Sequence, residues 1–252
     1  MKDLGRMWSN TRMVVLTAVA AAVYAAVLIP FKAIPIVPGL TEIRPAAALP
    51  PVCSILFGPA GAWGAAFGNL IGDFFGMLGI GSLFGFVGNF LYGYIPYRAW
   101  RALSDQEPAK LSLAGWVKLL VSFLLGAGAC ALVIAWGVDL FGLAPFKVLV
   151  NIIAINNGLM ALMVSPFLVL ILYPMIKNFG LLYTDLLEPE PRSGRNLAGL
   201  VLVAIGVVGG ILVGDLAAFG VLDLASVGLA ALSLRLLIVP FVFVLLLGCL
   251  II

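Results

Sequence analysis

Residues 45 to 77 read PAAALPPVCSILFGPAGAWGAAFGNLIGDFFGM, an apolar run with one carboxylate, Asp73, near its end. As a single helix it would measure roughly 50 Å, well beyond the hydrocarbon core of a bilayer. Gly58-Pro59 breaks it, so the run predicts two spans joined by a hairpin. On either side, apolar segments extend from about Arg12 to Pro30, Ile80 to Tyr97, Ala114 to Trp136, Pro145 to Ile176, Leu197 to Phe219 and Val227 to Leu250. Eight spans result. The Pro145 to Ile176 run exceeds a simple span by about a dozen residues, which places its first part in the external layer. The first segment follows Lys2, Arg6 and Arg12 and could be a cleavable signal peptide. A retained span is preferred, because the run outlasts a signal core and leads into the Pro-rich stretch from Phe31 to Pro45.

Composition agrees with an all-α, polytopic membrane protein. The 252 residues are 63% hydrophobic and 10% charged, too apolar for a soluble domain. That excludes a catalytic ectodomain, a cytoplasmic nucleotide-binding domain and a nucleic-acid reader, and makes the net charge of +3 a matter of membrane topology. With no histidine, a His-ligated zinc or haem site, a Ser-His-Asp triad and a Cys-His dyad cannot be built. Cys53, Cys130 and Cys249 stand alone in apolar runs, as packing residues do. No metal or cofactor site is expected.

Positive-inside bias supports the hairpin. With a cytoplasmic N-terminus, Arg98, Arg101, Lys110 and Lys118 fall inside only if Gly58-Pro59 reverses the chain. Lys177, Arg192 and Arg195 also fall inside, while Lys32, Arg44, Lys147 and Arg235 face out, so ten of the fourteen basic residues are cytoplasmic. The polar linker over residues 178–196 separates a six-helix body, residues 1–177, from an accessory two-helix hairpin, residues 197–252.

Within this topology the polar residues are few. Asn69 and Asp73 lie four apart beside a row of Gly64, Gly68, Gly72 and Gly76, extended by Ala60, for which internal packing is expected. An intramembrane carboxylate is costly and points to function. Span four carries Asn89 and Tyr92, and the run that begins span six carries Asn151, Asn156 and Asn157. Asn69, Asp73, Asn151, Asn156 and Asn157 share one depth near the outer face, where loop one adds Glu42 and Arg44. Such a level forms either a solute pocket, the favoured reading, or a hydrogen-bonded packing network. Ala18, Ala22 and Ala26 form a smooth strip on span one, with Ala21 and Ala25 on an adjoining line, suited to internal packing or to docking a separate subunit. In the last hairpin Gly206, Gly210 and Gly214 form another row, across which Asp215 is expected to neutralise Arg235.

The alanine strip, the loop with Thr41-Glu42-Ile43-Arg44-Pro45, and Gly58-Pro59-Ala60-Gly61-Ala62-Trp63-Gly64 leading to Gly72-Asp73 together resemble the S components of energy-coupling factor (ECF) transporters, over roughly residues 10 to 177. The resemblance implies a six-helix vitamin binder in the cell membrane that takes its ligand from the extracytoplasmic side under loop one. It also implies docking through Ala18, Ala22 and Ala26 onto a transmembrane scaffold subunit carrying two ATPase subunits. Metal-specific members hold nickel or cobalt through histidine, which this chain lacks, so a vitamin-like organic solute is implied. Riboflavin, thiamine, biotin, folate, cobalamin and queuosine precursors stay open. The chain has no phosphate-binding Gly-x-x-x-x-Gly-Lys-Ser/Thr loop, so hydrolysis falls to the partners. Two rivals are weighed: an autonomous ion-coupled secondary transporter using Asp73, for which no inverted repeat is visible, and an integral membrane transferase, which lacks a second intramembrane carboxylate near Asp73.

Overall fold

The computed structural model of the chain describes residues 2–32, 34–37, 41–42, 44–76, 78–108, 110–188, 194–222 and 234–252. It is a helical bundle, with α1 (Lys2–Arg6), α2 (Thr11–Phe31), α3 (Leu49–Phe57), α4 (Pro59–Asp73), α5 (Ile80–Leu103), α6 (Leu113–Leu140), α7 (Phe146–Met163), α8 (Ser165–Asn178), α9 (Tyr183–Leu186), α10 (Gly194–Ala218) and α11 (Leu234–Ile251). A small antiparallel ribbon, β1 (Pro35–Val37) and β2 (Thr41–Glu42), and a 3-10 turn over Pro45–Ala48 connect α2 to α3. Among the described residues six helical segments are long and apolar enough to cross a membrane.

The break at Gly58-Pro59 is a true reversal. Gly58 takes φ +53, and a Cβ there would fall 2.6 Å from the Tyr183 ring. Pro59 then starts α4, where its missing N–H costs nothing. A Cβ at Gly61 would lie 2.2 Å from the Cys53 carbonyl oxygen, so α3 and α4 touch backbone to backbone.

The sixth run, from Pro145 to Ile176, departs from a single straight helix. It is two helices bent at Val164, because Pro166 has no N–H to offer the preceding turn. Backbone bonding continues past the bend through Val164 N–H to the Met160 carbonyl (3.0 Å) and Leu168 N–H to the Val164 carbonyl (3.2 Å). Ser165, at the bend, donates its hydroxyl to the Ala48 carbonyl (2.9 Å).

Packing separates the two alanine lines of α2. Ala21 and Ala25 are buried, whereas Ala18, Ala22 and Ala26 are exposed beside Val15, Val19 and Val23. The buried side meets the α4 glycines: added Cβ atoms at Gly64, Gly68 and Gly72 would stand 2.5 Å from Ala20 Cβ, 2.8 Å from the Ala21 carbonyl oxygen and 2.6 Å from Leu28 Cδ2. Gly76 does not continue the row. It sits in the turn after α4 at φ +122, with nothing near its Cβ position.

Charged and polar contacts gather at the two ends of the bundle. At one end Asp3 accepts from the Tyr97 hydroxyl (3.0 Å) and pairs with Arg98 (3.2 Å), Asn10 donates its amide to the Leu186 carbonyl (3.0 Å), and Lys177 pairs with Glu107. At the other lie Lys32 with Asp73, Arg235 with Asp139, and Lys147 with the Ala218 carbonyl. Successive helices therefore run up and down.

The C-terminal hairpin is fastened to the body. Gly206 packs on Leu245 of α11, but Gly210 and Gly214 also admit Leu132 of α6 and Phe146 of α7. The expected Asp215 to Arg235 pair does not form. Asp215 accepts from the Asn151 amide (3.0 and 3.1 Å), and Arg235 Nε donates to Asp139 (3.3 Å). The reason is position: α10 packs on both α6 and α7 and α11 on α6, so Asp215 meets Asn151 of α7 and Arg235 meets Asp139 of α6 instead of each other.

Candidate functional site

The polar layer is assembled from five segments. The end of α2 supplies Lys32; the residue ahead of the 3-10 turn is Arg44; the last turns of α4 supply Asn69 and Asp73; α5 closes in through Gly85; and α7 brings Asn156. The i, i+4 spacing puts Asn69 and Asp73 on one face of α4, so that Asn69 Nδ2 donates to Asp73 Oδ2 (3.2 Å). Asp73 Oδ1 accepts from Lys32 Nζ (2.9 Å) in a buried ion pair. Arg44 Nη2 donates to Asn69 Oδ1 (2.7 Å), and the Arg44 backbone N–H donates to Asn156 Oδ1 (3.3 Å). Gly85 is what permits this closeness, since a Cβ there would lie 2.9 Å from Asn69 Nδ2.

A second tier lies deeper along α5. Asn89 donates to the Gly85 carbonyl (2.8 Å) and accepts from the Tyr24 hydroxyl (2.9 Å), which ties α2 to α5. The Tyr92 hydroxyl donates to the Ala47 carbonyl (2.8 Å) and lies 3.0 Å from the Asn157 carbonyl oxygen, bridging the 3-10 turn and α7. The Asn157 side chain is 1% exposed, yet neither of its amide atoms has a hydrogen-bond partner. The Cys130 thiol lies against the amide without reaching acceptable hydrogen-bond geometry.

The structure thus brings Arg44, Asn69, Asp73 and Asn156 into one chain of contacts, with Asn89, Tyr92 and Asn157 beneath. Asn151 stands apart, turned to Asp215 of the hairpin. Glu42 has its backbone in β2, opposite Pro35, and its side chain lies outside the described residues. Lys32 and Tyr24 are members that sequence reasoning missed. Lys32 carried a signal, because the same topology that places Asp73 at the outer end places Lys32 there too.

The opposite end holds a cavity of about 440 Å³ bordered by Trp100, Arg101, Gln106, Glu107, Tyr173 and Tyr183. Its groups satisfy one another: the Gln106 amide is held by Ser112, and the hydrogen bond from Lys177 keeps the Glu107 carboxyl below its ordinary range. Nothing in that cavity matches the orphaned amide of the other layer. Among the described residues no group of three acidic or Cys side chains could hold a metal ion.

Comparison with known proteins adds one match. The profile of the family described as QueT transporter matches residues 14–174, which include every residue of both tiers. No curated protein and no solved structure matches the chain.

Proposed function

The chain belongs to the QueT transporter family, a family of ECF-type S components, and on that premise we propose that it captures a queuosine precursor, a 7-deazaguanine base, at the extracytoplasmic face of the cell membrane. The observation that carries this reading is the buried polar layer of Lys32, Arg44, Asn69, Asp73 and Asn156, gathered where α2, α4, α5 and α7 converge. Buried polar groups in a membrane bundle are expensive, and a layer that joins a loop residue to four helices is better explained by a solute than by packing alone.

The energy source belongs to partners. Ala18, Ala22 and Ala26 form an exposed, low-relief edge on α2, and an apolar groove of about 400 Å³ bordered by Val15, Val19, Phe57 and Ile176 opens at the α1 end of the same face. Small residues let a neighbouring helix approach closely, so this face is the docking site for a transmembrane scaffold subunit that carries two ATPases. In this reading the α1 end is cytoplasmic and the Lys32–Asp73 end is outside. Arg98, Arg101 and Lys177 then fall on the positive side.

Proteoliposomes test the reading. Uptake of radiolabelled 7-deazaguanine is expected only when scaffold and ATPase subunits are reconstituted with this chain and ATP is supplied. Binding by the chain alone should need neither. ATP-independent uptake driven by a proton or sodium gradient would replace this reading with the secondary transporter.

A further inference from the structure

Asn157 is out of keeping with its surroundings. The other buried polar side chains of the interior are satisfied: Ser54 by Tyr97 N–H, Ser122 and Ser165 by carbonyls, Asn69 and Asn89 by the contacts given above. The orphaned atoms among the described residues are Trp63 Nε1 and the two amide atoms of Asn157. Trp63 has an internal explanation, because the rings of Trp8, Phe67, Phe86 and Phe90 surround it and an aromatic face accepts an N–H. Asn157 has none. Its side chain sets an NH2 donor beside a carbonyl acceptor, both buried, on α7 where the Tyr92 hydroxyl meets the Asn157 backbone carbonyl. Asn156, its neighbour in the chain, accepts from the Arg44 backbone N–H (3.3 Å), so the orphaned amide adjoins the polar layer.

We propose that the Asn157 carboxamide reads the ligand, pairing its N–H and its C=O with the adjacent C=O and N–H of a lactam edge on a planar heterocycle. An amide can satisfy both atoms on a partner only if that partner presents an acceptor and a donor at the same spacing, and a ring lactam does. The inference rests on the reading of the polar layer as a solute site, and it assigns the residue that reads one edge of that solute. A heterocycle whose lactam oxygen is alkylated loses the N–H and leaves the Asn157 oxygen unpaired, which is how a polar site rejects a close analogue.

The test titrates the purified full-length protein with 7-deazaguanine and with its 6-O-methyl ether, and records the melting temperature of each ligand-free variant. Wild type is expected to bind the lactam at least tenfold more tightly than the ether. Asn157→Leu should lose that discrimination and bind the lactam about tenfold to a hundredfold more weakly. Its ligand-free melting temperature should rise, because a side chain of similar volume has replaced an unsatisfied buried amide. Asn157→Ala, which adds no branched bulk, should show the same loss of discrimination. If either folded variant keeps wild-type affinity and discrimination, Asn157 faces an internal water and the inference fails while solute capture stands. A lower melting temperature accompanying lost binding would make Asn157 a packing residue and also overturn it. If wild type binds neither compound, the functional reading falls and this inference falls with it.

Discussion

At the scale of single residues, Lys32 and Asp73 show how a site can depend on a pair of which sequence reveals one half. Asp73 is conspicuous as the lone carboxylate of an apolar span, and its fourfold spacing from Asn69 is legible at once. Its cation stands 41 residues away, and only the parallel course of α2 and α4 brings their two C-terminal ends together. Asp73→Asn would take the Asp73 carboxylate away from the buried Lys32 ammonium. Removing one partner of a buried ion pair typically costs about 3–5 kcal/mol. We expect Asp73→Asn to lower the melting temperature and to weaken 7-deazaguanine binding by about tenfold to a hundredfold. The double variant Lys32→Met/Asp73→Asn should recover much of the stability and none of the affinity. Recovery of both by the double variant would show that the pair holds the helices together and does not serve the ligand. Asn151 teaches the opposite lesson. Its depth is the same as that of the site, but its amide turns round α7 to Asp215, and the direction in which an asparagine points cannot be read from its depth alone.

At the scale of the element, α2 carries two lines of alanines that look alike in sequence and do opposite work. A helix turns about 100° per residue, so Ala21 and Ala25 are rotated from Ala18, Ala22 and Ala26 by about a quarter of the circumference. Which line meets α4 is decided by where the glycines of α4 lie, a tertiary fact. The Ala21 carbonyl comes within 2.8 Å of where a Gly68 Cβ would be, which leaves no room for added bulk on the inner line. The outer line is exposed among the described residues. Ala22→Leu is therefore expected to leave the melting temperature and solute binding unchanged and to abolish co-purification with the scaffold subunit. Ala21→Leu should overpack the α2–α4 contact and cost about 1–3 kcal/mol of stability. Co-purification of the scaffold with Ala22→Leu at the wild-type level would remove the docking role from this face. The glycine row itself was legible as a packing device, because four-residue spacing of glycines on a membrane helix has few other uses. The kink of the sixth run was not, since Pro166 and the run's excess length permit either an external lead or a bend.

At the scale of the whole molecule, the question is what residues 197–252 add. Sequence marks them as separate through the polar linker, of which residues 189–193 lie outside the described residues. The profile match also ends before them, at residue 174. The structure shows a hairpin laid on α5, α6 and α7, while α2 packs on α3 and α4, so the hairpin and the outer alanine strip of α2 occupy different flanks of the bundle. Its grip is polar at the Lys32–Asp73 end of the bundle: Asp215 on Asn151, Arg235 on Asp139, Lys147 on the Ala218 carbonyl, and Trp136 Nε1 on the Arg235 carbonyl (3.0 Å). Between these contacts Leu132, fully buried on α6, fills the space left by Gly210. Removing the hairpin would bare that apolar surface to lipid at little cost, because lipid is as apolar as leucine. It would also strip the partners from Asp139 and Asn151, which is costly in a bilayer. Among the described residues Asn69 and Asp73 bond to Arg44, Lys32 and each other, and not to the hairpin. Truncation within the linker should accordingly give a folded protein that binds 7-deazaguanine within threefold of wild-type affinity, roughly 0.6 kcal/mol, but melts at a lower temperature. Adding Asp139→Asn to the truncated chain should return part of the lost stability, since it removes the charge left without Arg235. A truncated protein that stays monodisperse in detergent yet has lost binding would place the hairpin inside the site and make α7, through Asn151, the route by which it acts.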